Sequence, residues 1–309
     1  MINMALSADR KARMGAYLKG STKFHGEFKY PEECYPFADL ATSEGVDMPP
    51  EDGYGYHIDI YTAKNRTANC PVHINIHGGG FVCPHQINDS LWSAWLADAI
   101  QGVVVDVNDY TLSDEAPWPV CLDQCRAVGR YVYAHCKEWD CDPKRISIGG
   151  YSAGGTLAVA AAAKAAENGE CPYCLVVNGY GPSEMIYDLK AVADKDEYWL
   201  EPEMRSTAFT DLLMDGDEEL MRDPFFYQAS LPDELLSKFP RTVICSAGEC
   251  PFRFQNEEFG RRLASLGVEV TMRRFMGAVH GFIPHFMEHW QEGAELISRS
   301  IRSASTTAR

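Results

Sequence analysis

The sequence lacks a long apolar run. No stretch of its 309 residues approaches the roughly 20 consecutive apolar residues that a membrane-spanning helix needs. Residues 1–23 are charged and contain no apolar segment of the kind found in signal peptides. We therefore expect a cytoplasmic protein that does not associate with a membrane.

Positive charge is scarce as well. The chain has 28 lysines and arginines against 44 aspartates and glutamates, which gives a net charge of −16 at pH 7. Such a balance opposes binding to nucleic acids and to anionic lipids. We therefore expect no nucleic-acid partner.

Cysteine is plentiful, with 11 residues, yet no disulfide framework is indicated. An odd number of cysteines in a chain without an export signal favours reduced thiols. Cys171 and Cys174 form a C-x-x-C pair, but the pair lies at a strand, so we interpret these cysteines as buried and structural. No histidine lies at metal-ligand spacing from a cysteine pair, so we expect no zinc site.

Strand-like segments alternate with helical segments, and no internal repeat interrupts them. The strands are predicted at residues 56–62, 72–76, 103–107, 146–148, 175–177, 242–245 and 268–274. The helices are predicted at residues 7–18, 90–100, 119–136, 153–166, 256–266 and 286–303. This alternation predicts an α/β fold whose mostly parallel sheet is covered by helices on both faces.

One connection is too long for an ordinary crossover. About sixty residues separate the fifth and sixth predicted strands. We interpret residues 185–223 as a cap insertion and residues 1–50 as an N-terminal cap segment, both over the active site. Residues 51–184 and 224–309 would form the core. A surface insertion without function is the alternative for residues 185–223.

The strongest motif is Gly150-Tyr151-Ser152-Ala153-Gly154. It lies between a predicted strand and an alanine-rich helix. A G-x-S-x-G sequence in this context is the nucleophile elbow of a hydrolase, in which glycines leave room for a very tight turn. The alternative is a glycine-rich turn with an incidental serine.

A second motif, His77-Gly78-Gly79-Gly80-Phe81, follows an earlier predicted strand. Such a glycine-rich turn offers backbone N–H groups to an oxyanion, because glycine lets the backbone approach closely. Two motifs in the required order, each after a strand, favour the catalytic interpretation of Ser152.

These motifs and others in the same order resemble the hormone-sensitive-lipase-like branch of the α/β-hydrolases, over roughly residues 55–300. The further matching residues are Asp109 to Leu112, Glu115, Pro117, Pro119, Asp142-Pro143, Arg145, Asp223-Pro224, Arg261 to Leu263, Gly267 and His280-Gly281-Phe282. The resemblance implies an α/β-hydrolase fold of about eight strands with a helical cap. It also implies a serine carboxylesterase, with Phe81 and Tyr151 at the substrate; the family usually has aspartate where this chain has Tyr151.

The resemblance assigns the catalytic base to His280, with His285 and His77 as rivals. His77 more plausibly holds the oxyanion loop through hydrogen bonds. The acid departs from the family pattern, because the expected column falls on Cys250. Glu249, one residue earlier, is the candidate that we favour, and Glu184 is the second. Another carboxylate, or no acid at all, is the remaining alternative.

The implied reaction is hydrolysis of small-molecule esters with short acyl groups, through an acyl-enzyme on Ser152. It requires no cofactor and no metal. Backbone N–H groups of Gly79, Gly80 and Ala153 would bind the oxyanion. Two alternatives stay open: an amide or formamide hydrolase on the same fold, and a non-catalytic ligand-binding protein with a degenerate triad. The last strand and terminal helix are a plausible edge for a homodimer.

Overall fold

Eight strands form one sheet in the order β1-β2-β4-β3-β5-β6-β7-β8. This computed structural model describes residues 31–184 and 209–305. The strands are β1 (Ala41–Glu51), β2 (Tyr54–Ala63), β3 (Cys70–Ile76), β4 (Val103–Val107), β5 (Cys141–Tyr151), β6 (Leu175–Gly179), β7 (Arg241–Ala247) and β8 (Val270–Phe275). β2 is antiparallel to β1 and β4, and all later neighbours are parallel. The predicted mostly parallel sheet of about eight strands is confirmed.

Helices cover both faces of this sheet. They are α1 (Ile87–Ile100), α2 (Val120–His135), α3 (Ala153–Asn168), α4 (Glu218–Met221), α5 (Asp233–Leu236), α6 (Arg253–Ser265) and α7 (Trp290–Ser303). Short 3₁₀ helices occupy Glu32–Leu40, Cys136–Trp139 and Gln228–Ser230. In the part of the chain that the structure describes, no helix is both long and apolar enough to cross a membrane.

Alternate side chains of the strands pack into two separate hydrophobic cores, one on each face of the sheet. On β4, Val103 and Val105 pack with α2, α3 and α6, whereas Val104 packs with α1 and α7 on the opposite face. This division follows from the two-residue period of a strand, whose successive side chains point to opposite faces. Strands that are buried on both faces therefore read as continuous apolar runs, which is why the sequence identified them.

Strand β1 was missed by the sequence analysis. Most of its side chains are exposed, and it contains Gly45, Pro49 and Pro50, so no apolar alternation marks it. Its pairing with β2 holds it at the sheet edge, the position where proline is tolerated. The predicted cap segment of residues 1–50 is therefore wrong in its boundary, because residues 41–50 belong to the sheet.

The described end of the predicted cap insertion is anchored to the core. Residues 209–214 are helical. The Trp118 backbone N–H donates to the Leu213 carbonyl oxygen at 2.9 Å, and the Trp118 indole N–H donates to Asp223 Oδ2 at 2.7 Å. Residues 185–208, which carry most of the insertion, and the predicted helix at residues 7–18 lie outside the described residues.

A buried polar cluster lies between the sheet and α1. Asp106, fully buried on β4, accepts hydrogen bonds from Asn75 Nδ2 (3.2 Å), Ser93 Oγ (2.9 Å) and His85 Nε2 (2.9 Å). Burial lowers the pKa of His85, but the charge and hydrogen bond of Asp106 outweigh burial and raise that pKa to about 9. His85 is therefore an imidazolium at neutral pH, paired with Asp106.

We expect this ion pair to make stability depend on pH. A histidine whose pKa is raised from 6.5 to about 9 on folding stabilises the protein fully below about pH 6.5, and the contribution is lost as pH rises through about 9. Wild type should lose on the order of 2 kcal/mol more of its free energy of unfolding than His85→Gln over that range, measured by urea titration.

His135→Gln is the matched control, because His135 pairs with Glu138 at the surface. It should retain the wild-type pH dependence. Parallel stability curves for wild type and His85→Gln would show that the His85–Asp106 pair does not carry the effect.

Candidate active site

Ser152 occupies a strained turn between β5, which ends at Tyr151, and α3, which begins at Ala153. Its φ of 55° and ψ of −124° are unusual for a residue with a side chain and cost on the order of 1–3 kcal/mol. A Cβ at Gly154 would overlap the carbonyl oxygens of Ile76 and His77, and one at Gly150 would overlap the backbone of Gly154. The turn therefore requires both glycines, as the sequence analysis predicted.

The imidazole of His280 lies beside this serine. Nε2 of His280, from the loop between β8 and α7, is 2.8 Å from Ser152 Oγ. The ring is held edge-to-face by Tyr180 and Phe252, with centroid distances of 5.1 and 5.4 Å. A serine and a histidine at this separation form the nucleophile–base pair of covalent hydrolases. Of the three candidate histidines, it is therefore His280 that the fold brings to the serine.

The other nitrogen of the ring faces a cysteine. Cys250 Sγ, in the loop between β7 and α6, is 3.1 Å from His280 Nδ1. If Nε2 accepts the serine proton, Nδ1 must carry the ring hydrogen and donate it to this sulfur. Burial raises the pKa of the Cys250 thiol to about 12, although the Phe252 backbone N–H and the Arg253 charge oppose the increase. Cys250 is therefore a neutral thiol at physiological pH.

The predicted acid, Glu249, is not at this position. Its side chain is exposed, and its backbone N–H donates to the Ala278 carbonyl oxygen at 2.9 Å. Glu249 lies in a tight turn, in which the Cys250 backbone N–H donates to the Ala247 carbonyl oxygen at 3.1 Å. The turn leaves Glu249 exposed and buries Cys250 against the ring. Glu184 lies after β6, where its backbone N–H donates to Gln255 Oε1. We correct the prediction accordingly: Cys250, neither Glu249 nor Glu184, faces Nδ1.

The glycine-rich loop lies against the serine turn. A Cβ at Gly78 would be 2.8 Å from the Tyr151 carbonyl oxygen and 3.3 Å from Ser152 Cβ. Gly79 and Gly80 have positive φ angles of 112° and 62°, which favour glycine. Ala153 is the first residue of α3, where backbone N–H groups have no carbonyl partner within the helix. The three predicted oxyanion donors thus belong to two adjoining backbone segments.

His77 lies against the same glycine-rich loop. Its ring stacks on Tyr110 with centroids 4.3 Å apart, and Nδ1 lies 2.7 Å from the Gly78 carbonyl oxygen. Burial, with a smaller contribution from the His85 charge, lowers the pKa of His77 to about 4. A neutral imidazole that donates to the loop backbone agrees with the hydrogen-bonding role predicted for His77.

Phe81 and Tyr151 were predicted at the substrate, and the structure places both in the core. Phe81 has no exposed surface and packs near Phe226, with centroids 6.1 Å apart. Tyr151 is 2% exposed and packs against Trp92 and Tyr180. As the last residue of β5, Tyr151 points into the core of α1 and α7. Neither side chain has surface to offer a substrate.

Phe209 is a site residue whose position the sequence did not indicate. A Cβ at Gly80 would overlap the Phe209 ring. Phe209 also packs with Val82, Cys83 and Leu212 in a small apolar cluster. The aromatic content of the cap insertion was visible in the sequence, but no pattern indicated which ring would reach the glycine loop.

No metal-binding group of three or more histidine, cysteine, aspartate or glutamate side chains occurs within residues 31–184 and 209–305. All eleven cysteines lie within those ranges; each is buried, and none forms a disulfide. The burial that the sequence analysis expected for Cys171 and Cys174 is thus confirmed.

Comparison with known proteins identifies the same fold family as the sequence motifs. Residues 73–284, more than half of the chain, match the alpha/beta hydrolase fold family. Esterase LipI of Mycobacterium tuberculosis is 29% identical over 216 residues, which cover 70% of this chain and 67% of LipI. Hormone-sensitive lipase of Mus musculus is 33% identical over 97 residues, which cover 31% of this chain and 12% of that protein.

Among solved structures, carboxyl esterase 2 from the fungus Tuber melanosporum superposes with a TM-score of 0.75 at 26% identity. The superposition covers 86% of this chain and 88% of the fungal protein. The chain therefore belongs to the α/β-hydrolase fold family, in the branch of the hormone-sensitive-lipase-like esterases.

Proposed function

We propose that this protein is a serine carboxylesterase that hydrolyses short-acyl esters through an acyl-enzyme intermediate. The observation that carries the proposal is the 2.8 Å separation between His280 Nε2 and Ser152 Oγ at the start of α3. The similarity to LipI and to the Tuber esterase, both named as esterases, supports an ester as the substrate.

Acylation begins when Ser152 Oγ attacks the ester carbonyl carbon and His280 Nε2 takes the serine proton. The carbonyl oxygen becomes an oxyanion, which accepts hydrogen bonds from the N–H groups of Gly79, Gly80 and Ala153. Collapse of the tetrahedral intermediate breaks the bond to the alcohol oxygen. His280 gives its proton to that oxygen, and the alcohol leaves an acylated Ser152.

Deacylation repeats these steps with water as the nucleophile. His280 takes a proton from water, and the hydroxide attacks the acyl carbon of the Ser152 ester. The proton then returns to Ser152 Oγ as the carboxylic acid leaves. Every transfer uses the same imidazole, so the protein needs neither a metal nor an organic cofactor for this reaction.

A short acyl group is favoured by Phe209. Its ring lies directly against Gly80 in the proposed oxyanion loop, and Leu212 packs beside it. Large side chains so close to the carbonyl site leave little room for a long acyl chain. This contact is the structural support for short-acyl specificity.

One observation favours the non-catalytic alternative. Cys250 lies where a hydrolase triad has its acid, and a degenerate triad is typical of ligand-binding proteins on this scaffold. Reaction of Ser152 with a fluorophosphonate distinguishes the two functions, because only an activated serine is labelled. Matched ester and amide substrates then distinguish an esterase from an amide hydrolase.

Substitution of either member of the Ser152–His280 pair should abolish turnover. Ser152→Ala removes the nucleophile and His280→Ala removes its base, so each should lower kcat on a short-chain nitrophenyl ester by on the order of 10⁴-fold. His289→Ala is the control, because His289 pairs with Glu292 at the surface. Retention of more than about a tenth of wild-type activity by either active-site variant would refute the mechanism.

Acyl-chain preference should change when Phe209 is truncated. Wild type should hydrolyse esters of roughly two to six acyl carbons faster than longer ones, because the ring occupies space beside the proposed oxyanion loop. Phe209→Ala should raise kcat/KM for an eight-carbon ester relative to a two-carbon ester by about 10-fold. Tyr35→Ala, at an exposed aromatic position, should leave the ratio unchanged. A wild-type optimum on a long-chain emulsified triglyceride would contradict the proposal.

Metal removal should have no effect on the rate. Since His280 mediates every proton transfer in the proposed mechanism, dialysis against EDTA should leave kcat at the wild-type value. Loss of activity that is restored by zinc would show that the metal-free mechanism is wrong.

A further inference from the structure

We propose that Cys250 is a positioning residue for the catalytic base, and that a thiol in this place, where a carboxylate would serve better, limits the rate of the enzyme. This inference rests on the proposed esterase function, because it assigns a role to the third member of the Ser152–His280 site.

The geometry gives Cys250 the role of orienting the ring. Its sulfur lies 3.1 Å from Nδ1, while Ser152 Oγ lies 2.8 Å from Nε2, so the two contacts hold opposite sides of one imidazole. An Nδ1–H that donates to sulfur leaves Nε2 unprotonated and directed at the serine, which is the tautomer that a general base needs.

Because the Cys250 thiol is uncharged, its contact with His280 provides no electrostatic stabilisation of the imidazolium. The thiol is completely buried, and burial keeps it protonated at physiological pH by raising its pKa to about 12. A neutral sulfur accepts only a weak hydrogen bond. It brings no negative charge to the imidazolium that forms when Ser152 attacks, whereas a carboxylate in the same place stabilises that cation.

The surroundings of the sulfur are suited to an anion. The backbone N–H of Phe252 and the charge of Arg253 both act on Sγ to favour its ionised form, although burial outweighs them for a thiol. A carboxyl group ionises far more readily, with an ordinary pKa of about 4. Burial opposes ionisation of an aspartate at this position too, but its much lower ordinary pKa, the Phe252 backbone N–H and the neighbouring imidazolium favour the carboxylate.

The test is a series at position 250, assayed with a short-chain nitrophenyl ester between about pH 5 and 9. Cys250→Asp should raise kcat by about 10-fold with little change in KM. It should also move the acidic limb of the kcat/KM profile to higher pH, because the carboxylate favours the protonated imidazole. Cys250→Ala should lower kcat by about 10-fold because it removes the acceptor. Cys250→Ser should fall between wild type and Cys250→Ala.

Two variants serve as controls. Cys245→Ala removes another fully buried thiol, from β7 in the same core, and Glu249→Gln changes the exposed neighbour of Cys250. Both should keep the wild-type acidic limb. Circular dichroism and thermal unfolding verify that each variant is folded, and if Cys250→Asp fails to fold, Cys250→Ala and Cys250→Ser decide the outcome.

Failure of this inference can be distinguished from failure of the esterase proposal. If wild type neither hydrolyses esters nor reacts with a fluorophosphonate at Ser152, the proposed function is wrong and the inference falls with it. If wild type is active but the position-250 variants match it in kcat and in the acidic limb, Cys250 is only a packing residue. A kcat below the wild-type value for Cys250→Ala and above it for Cys250→Asp would support the positioning role.

Discussion

The hydrogen bond between Ser152 Oγ and His280 Nε2 is the contact on which the rest of the site depends. It joins residues 128 positions apart in the chain, so it depends on the sheet that brings them together. Parallel pairing of β5, β6, β7 and β8 brings the carboxyl ends of these strands to one edge. The serine turn, the Cys250 loop and the His280 loop all extend from that edge, where α/β proteins build their sites.

Close backbone packing keeps the serine turn in its strained conformation. The carbonyl oxygens of Ile76 and His77 fill the space where Gly154 would otherwise carry a side chain, and the Ser152 backbone N–H donates to the Gly179 carbonyl oxygen at 2.9 Å. Neighbouring strands on both sides thus restrain the turn. Such restraint offsets the local strain and places Oγ at a helix N-terminus, where backbone N–H groups favour developing negative charge.

Much of this arrangement could be predicted from the sequence because it depends on local requirements. Glycines at fixed spacing around Ser152, and after His77, reflect backbone packing that no other residue permits. Apolar strands buried on both faces were also recognisable. Strand β1 was not, because pairing with β2 defines it rather than apolar side chains. The roles of Phe81 and Tyr151 were wrong because the direction of a side chain depends on the position of its residue in the tertiary fold.

The residue that faces His280 Nδ1 shows most clearly what the sequence alone could not predict. Glu249 has the chemistry of a triad acid, and Cys250 has the position. Residue type favoured the glutamate, whereas the family pattern placed the expected acid at the cysteine. A shift of one residue in the loop reverses which side chain faces the imidazole. Sequence reasoning could identify the conflict between chemistry and position, but the decision required coordinates.

The central claim is that the acyl group of the ester is transferred to Ser152 as the alcohol leaves, and that water then hydrolyses this acyl-serine ester. Rapid acid quench during turnover of an acetyl ester, followed by peptide mass spectrometry, measures this intermediate directly. The account predicts an acetyl group on the peptide that contains Ser152, absent from the Ser152→Ala protein. Continuous consumption of the ester with no acetylated Ser152 peptide at any quench time, or acetylation of another residue that accounts for turnover, would contradict it.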